Sequence, residues 1–102
     1  MTSIRLRRDN DSDLIVEEAT LVAGVTSAGP GRCRWTELRL WRTAGGKLVA
    51  EQVGRSSVDQ ERDRCKAWVC LSEAEVIERL GHGWLAHRLY EAAGIDDSER
   101  VD

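Results

Sequence analysis

Between Arg34 and Arg42 the side chains alternate in type. Thr36, Leu38 and Leu40 fall on one side, and Trp35, Glu37, Arg39 and Trp41 on the other. A period of two is the signature of a β-strand. The aliphatic side reads as a core face. The other side carries two indoles with a Glu and an Arg between them, and it is expected to look outward, toward water or a partner.

The rest of the chain can be placed around this strand. Residues 4–8 alternate apolar and basic, which predicts a short strand with Ile4 and Leu6 inward. Residues 9–13 are Asp, Asn and Ser, side chains that bond nearby backbone and favour turns. Residues 14–26 are rich in β-branched types and suit one bent strand or two, with Gly24 a candidate bulge. Residues 28–31 predict a second turn, residues 32–43 the Trp-bearing strand, and residues 47–58 the strand that returns after a loop at Ala44, Gly45 and Gly46. A three-residue loop sets Trp41 opposite Val49 and Arg39 opposite Glu51, two favourable cross-strand pairs; a two-residue loop shifts the pairing by one and loses both, so the three-residue loop is preferred. Residues 59–64 form a charged loop, and residues 65–71 a further strand.

Two helices follow. Ser72 and Glu75 make a capping box, Val76, Ile77 and Leu80 the apolar stripe, and Gly81 the stop. Trp84 to Ala93 is the second helix, with Leu85, Leu89 and Ala92 on one face. Gly94 suits a left-handed stop from which Ile95 folds back. Strands first and helices last predict an α+β fold, an antiparallel β-meander of four to five strands with two C-terminal helices packed on one face. Residues 1–95 are expected to form one domain, and residues 96–102 a frayed acidic tail.

Composition narrows the class. At 102 residues the chain can bury a core without metal or disulfide staples, and 41% hydrophobic content is too high for a disordered segment. Phe is absent, so the four Trp are candidate core material. The net charge of −3 is unevenly spread: residues 32–66 hold a basic surplus and residues 67–102 an acidic one. Three Cys, an odd number, point to reduced thiols and a cytoplasmic setting. No secretory leader is recognisable, and no run approaches the roughly 18 apolar residues of a membrane span, so no membrane partner is expected.

Most catalytic patterns fail on inspection. Asp9, Asp11 and Asp13 open like a calcium loop, but Leu14 and Thr20 stand where that loop needs Gly and Glu. Gly54, Arg55, Ser56 and Ser57 lack the second Gly of a nucleophile elbow. Gly45, Gly46 and Lys47 lead into a strand instead of a helix, so no phosphate loop forms. A Cys–His nucleophilic pair has no recognisable orienting partner at either His82 or His87. The four residues Cys65, Cys70, His82 and His87 approach a zinc-finger spacing, C-x4-C-x11-H-x4-H. Positions 65 and 70 differ by an odd number, however, so on a strand they face opposite sides.

The expectation is therefore a small, non-catalytic protein-binding module without a cofactor. Trp35, Glu37, Arg39, Trp41 and Glu51 are its candidate contact residues, since Trp and Arg are enriched among interface anchors. The partner is another protein or a second copy in a homodimer. In type the chain is similar to inhibitors, adaptors and accessory proteins of phages and other mobile elements, anti-CRISPR proteins among them. One alternative is single-stranded nucleic-acid binding, with indoles stacking bases and Arg34, Arg42, Lys47 and Arg55 holding phosphates. The other is a small zinc domain built on the Cys and His set. The third possibility for the indoles is that neighbouring chain covers them, which makes them core.

Overall fold

A computed structural model describes residues 3–98. Six strands precede two helices: β1 (Ile4–Leu6), β2 (Leu14–Val16), β3 (Thr20–Thr26), β4 (Arg34–Arg42), β5 (Leu48–Ser56), β6 (Arg64–Cys70), α1 (Glu73–Leu80) and α2 (Trp84–Ala93). The fold is α+β. β3, β4, β5 and β6 form an antiparallel meander in chain order, and β1 and β2 make a separate two-stranded sheet. Among the described residues no helix is long and apolar enough to cross a membrane.

The segment at residues 14–26 resolves into two strands. Glu18 takes a positive φ of 50° in the link between them. The bulge sits between Leu21 and Ala23, not at Gly24, which pairs regularly with Arg39. Gly24 has ordinary van der Waals room around it, so its lack of a side chain does not mark a bulge here. The β4–β5 pairing follows the expected register, with Trp41 opposite Val49 and Arg39 opposite Glu51.

That pairing sorts side chains into two cores. On one face Leu38, Leu40, Leu48, Ala50 and Cys70 meet Val76 of α1 and Ala86, Leu89 and Tyr90 of α2. α1 lies over β5 and β6, and α2 over β3 and β4. On the opposite face Val49 and Ala67 meet Leu6, Val16 and Ala19, with Ile4, Leu14 and Trp41 packed at the margin. The sheet is thus covered on both sides, by helices on one and by the β1–β2 hairpin on the other. Asp9 fastens this cover to the outer edge of β6: its N–H donates to the Cys65 carbonyl at 3.1 Å, and its carboxylate accepts from the Cys65 N–H at 2.9 Å.

The helix signals are physical caps. The Ser72 hydroxyl accepts from the Glu75 N–H at 3.3 Å. The Glu75 carboxylate reaches back one residue further than a standard box, to the N–H of Leu71. Gly94 adopts the left-handed conformation, with φ 73° and ψ 27°, and Ile95 folds back into the core with its N–H on the Tyr90 carbonyl. The buried stripe of α2 runs through Ala86, Leu89 and Tyr90. Ala92, expected on that stripe, is exposed, because the helix is rotated to bring Tyr90 inward.

The four Trp do not share one core. Trp68 packs against the helix side, Trp41 against the hairpin side, Trp35 is half-buried, and Trp84 is exposed. Leu89 is fully buried, whereas Ile15 on β2 is 58% exposed. Leu89→Ala is therefore expected to cost about 2–5 kcal/mol in a urea unfolding titration. Ile15→Thr should stay within about 0.5 kcal/mol of the parent.

Candidate functional site

The β4 face that carries the indoles is divided along its length. At the Trp41 end the β1–β2 hairpin lies over it. The expectation that both indoles look outward is corrected there: the Trp41 ring packs at the edge of the hairpin-side core, and its N–H donates to Glu51 at 3.1 Å. Glu51 is itself buried, at 8% exposure, and Arg39 stands 3.6 Å from its carboxylate. A buried carboxylate needs such partners, since an unpaired charge away from water is costly. Trp41 and Arg39 thus satisfy the buried Glu51, while the Arg39 side chain itself stays 37% exposed.

At the other end, beyond the hairpin cover, Glu37 is the hub. Its carboxylate accepts from the Arg55 guanidinium at 2.6 Å, from the Trp35 indole at 3.3 Å and from Arg39 at 3.4 Å. Arg55 lies directly opposite Trp35 in the ladder and also donates to Asp63 at 2.8 Å. Beside them Arg34 makes a two-pronged contact with Glu61, at 3.0 and 2.6 Å, and the Ser56 hydroxyl donates to the same carboxylate. Burial alone pushes the Glu37 carboxyl up. The hydrogen bonds from Arg55 and Trp35 and the charges of Arg55 and Arg39 outweigh it and hold Glu37 below the usual carboxylate range.

These residues wall an open cavity of about 870 Å³ at the sheet end away from the β4–β5 loop. Trp35, Arg34, Arg55, Glu61 and Asp63 line it together with Arg7, Arg8, Arg62 and Arg64. Arg7 and Arg8 arrive on the chain leaving β1, which Asp9 holds against β6. Most of the Arg groups already have acidic partners: Arg8 contacts Asp11, and Arg7 lies 4.0 Å from Asp9. The groove is strongly polar, and its six Arg outnumber its four carboxylates.

The four residues proposed as phosphate contacts do not form one patch. Arg34 and Arg55 lie at the groove. Arg42 and Lys47 lie at the far end of the β4–β5 ladder, beside its loop. Eight strand steps place Arg34 and Arg42 about 26 Å apart.

The zinc set is not assembled either, and this corrects the spacing match. Cys65 and Cys70 are buried on opposite faces of β6, one beneath the segment after β1 and the other in the helix-side core. Burial, aided by Asp9, pushes the Cys65 thiol up, and burial, aided by Glu75, does the same to Cys70. Neither is disposed to be a thiolate nucleophile. Cys33 is exposed. The two His do converge, but on Asp97. His82 Nδ1 lies 2.9 Å and His87 Nδ1 3.2 Å from the same carboxylate oxygen. Asp97 belongs to the segment expected to fray. Its side chain is only 15% exposed, and Ser98 donates to Asp96 beside it. Residues 99–102, the remainder of that tail, lie outside the described residues, as do Met1 and Thr2.

Glu61, Asp63 and Asp97 are the functional candidates that sequence reasoning passed over. Glu61 and Asp63 sit in a charged loop whose fold-back onto β4 and β5 has no local signature. The signal for Asp97 was present in Gly94 and Ile95, because a left-handed stop with a buried follower turns the chain back over α2.

No family model, no curated protein and no solved structure matches the chain. The site's own chemistry is what bears on function.

The pH dependence of the groove can be tested. A carboxyl depressed by folding stabilises the native state above its unfolded value, about 4.3, and that contribution disappears as pH falls through the folded value. Glu37→Gln should cost about 1.5–3 kcal/mol at neutral pH. The gap between parent and variant should narrow steadily below about pH 4, as read by urea unfolding across a pH series.

Proposed function

We propose that this chain is a non-catalytic protein-binding module, an inhibitor, adaptor or accessory protein in the broad sense, and that it engages its partner at the groove beside Trp35. The observation that carries this reading is the constellation at the open end of the sheet. A half-buried indole is held by Glu37, and two guanidiniums are fixed by Glu37, Asp63 and Glu61 at its rim. Side chains that are already ordered lose little freedom on binding, which favours affinity. Trp and Arg in such a setting are the residue types that dominate interface energies. Of the five contact residues read from sequence, Trp35 lines this groove, and Glu37 holds Trp35 and Arg55 in place beside it. Trp41, Arg39 and Glu51 support it from within the fold.

The same geometry weighs against a polyanion. A phosphate chain could meet Arg62 and Arg64, but to use Arg34 and Arg55 it would have to displace Glu61 from the first, and Glu37 and Asp63 from the second. A protein surface of mixed charge can meet the groove without breaking those pairs. The buried thiols also favour binding over catalysis, since neither Cys65 nor Cys70 is poised for nucleophilic chemistry.

Affinity capture from the native host with the full chain, followed by measurement of the retained protein's dissociation constant, tests this. Trp35→Ala and the rim substitution Arg62→Glu should each weaken binding about tenfold or more while circular dichroism stays unchanged. Trp41→Ala should instead lower the thermal midpoint, because its ring packs the hairpin cover. Unchanged affinity in both groove variants overturns the site. Retention of single-stranded oligonucleotides that falls steeply with salt overturns the class of partner. Concentration-dependent sedimentation of the pure chain, lost in the same variants, would identify the partner as a second copy.

A further inference from the structure

We propose that His82, His87 and Asp97 form a binding site for a divalent transition-metal ion of the zinc class, independent of the groove at the sheet end. The three ligand atoms lie within 4.8 Å of one another. Both imidazole Nδ1 atoms face one carboxylate oxygen, at 2.9 and 3.2 Å. Ligands about 2.0 Å from a tetrahedral zinc stand about 3.3 Å apart. Two of the three spacings are therefore close to those a metal requires, and the third, between the two exposed imidazoles, lies within 4.8 Å.

Three separate segments deliver these groups, and each is held by the fold. His82 lies between Gly81 and Gly83 in the link from α1 to α2. That link is locked by the buried Tyr90 hydroxyl, which donates to the Gly81 carbonyl at 2.6 Å. His87 projects from α2, with the Tyr90 ring edge-on at 6.2 Å. Asp97 is brought over them because Gly94 ends α2 in a left-handed turn and Ile95 is buried just before it. Tyr90 is thus a positioning residue for both imidazoles. Burial raises its own hydroxyl to about 12, so it remains a neutral donor.

The donor set fixes the class of ion. Two imidazoles and one carboxylate suit zinc, cobalt and nickel, while calcium and magnesium call for more oxygen ligands. The rings are 61% and 48% exposed, so water completes the coordination. On binding, each Nδ1 gives up its proton or presents its lone pair, with the ring hydrogen on Nε2. The ion replaces the hydrogen bonds to Asp97 and clamps the C-terminal segment to α2 and to the interhelical link.

The test is titration of the chelator-treated full chain with zinc chloride by calorimetry, and with cobalt chloride by absorbance, in a Cys33→Ser background that removes the exposed thiol. One ion per chain is expected, with a raised thermal midpoint and a cobalt spectrum free of sulfur-to-metal charge transfer. Asp97→Asn should weaken binding at least tenfold, and the double substitution His82→Ala, His87→Ala should abolish it. The two imidazoles are exposed and Asn keeps the shape of the largely buried Asp97, so both variants are expected to fold, which circular dichroism checks. Absence of binding at millimolar zinc, affinity unchanged in the double variant, or a thiolate charge-transfer band overturns the site. None of these results depends on the partner proposed for the groove.

Discussion

The nine-residue antiparallel pairing of β4 with β5 is the constraint from which the rest of the structure follows. Its register, Trp41 on Val49 through Arg34 on Ser56, sends Leu38, Leu40 and Ala50 toward the helices, and Trp41, Val49 and Glu51 toward the hairpin. A slip of one residue would send every one of these to the wrong side. Both faces are covered, so neither can tolerate the exchange. Leu40, Val49 and Ala50, at the centre of the pairing, have almost no exposed surface.

The price of covering both faces is a polar residue trapped under the hairpin. Glu51 is buried opposite Arg39, and the sheet answers with a chain of partners: Trp41 and Arg39 on Glu51, Arg39 and Arg55 on Glu37, Arg55 on Asp63. This network runs along β4 and β5 from the packed end to the open one. Its inner members are structural. Its outer members, Trp35, Arg55 and Asp63, are held in the same way through Glu37, but they line a cavity instead of a core. The pairs at the groove thus continue the network that satisfies a buried carboxylate.

The helical layer works by a different device. α1 and α2 are short, at 8 and 10 residues, and isolated helices of that length are marginal in water. Caps and packing hold them. Tyr90 spans the layer: its ring is buried against the sheet side, its hydroxyl fixes the interhelical link, and its carbonyl receives the Ile95 N–H. The convergence of His82, His87 and Asp97 is a consequence of that single residue and of the left-handed turn at Gly94.

The sequence by itself determined the order of strands before helices, the caps at Ser72 and Gly94 and the α+β class; it favoured the β4–β5 register through the Trp41–Val49 and Arg39–Glu51 pairs, and the structure decided it. The order, the caps and the class are written in local pattern: period two, period 3.6, and residues whose backbone preferences act within a few positions. It also determined that Cys65 and Cys70 face apart, since parity on a strand is local too. What only the tertiary structure decided was which layer lies on which face. Nothing within residues 34–42 tells whether Trp41 or Trp35 lies under the β1–β2 hairpin, because that depends on where a segment some thirty residues earlier comes to rest. The meetings of Arg34 with Glu61, of Arg55 with Asp63 and of His82 with Asp97 were likewise hidden. Charged residues are common and interchangeable along this chain, and only the folded path of the loops selects which of them come within a hydrogen bond's reach.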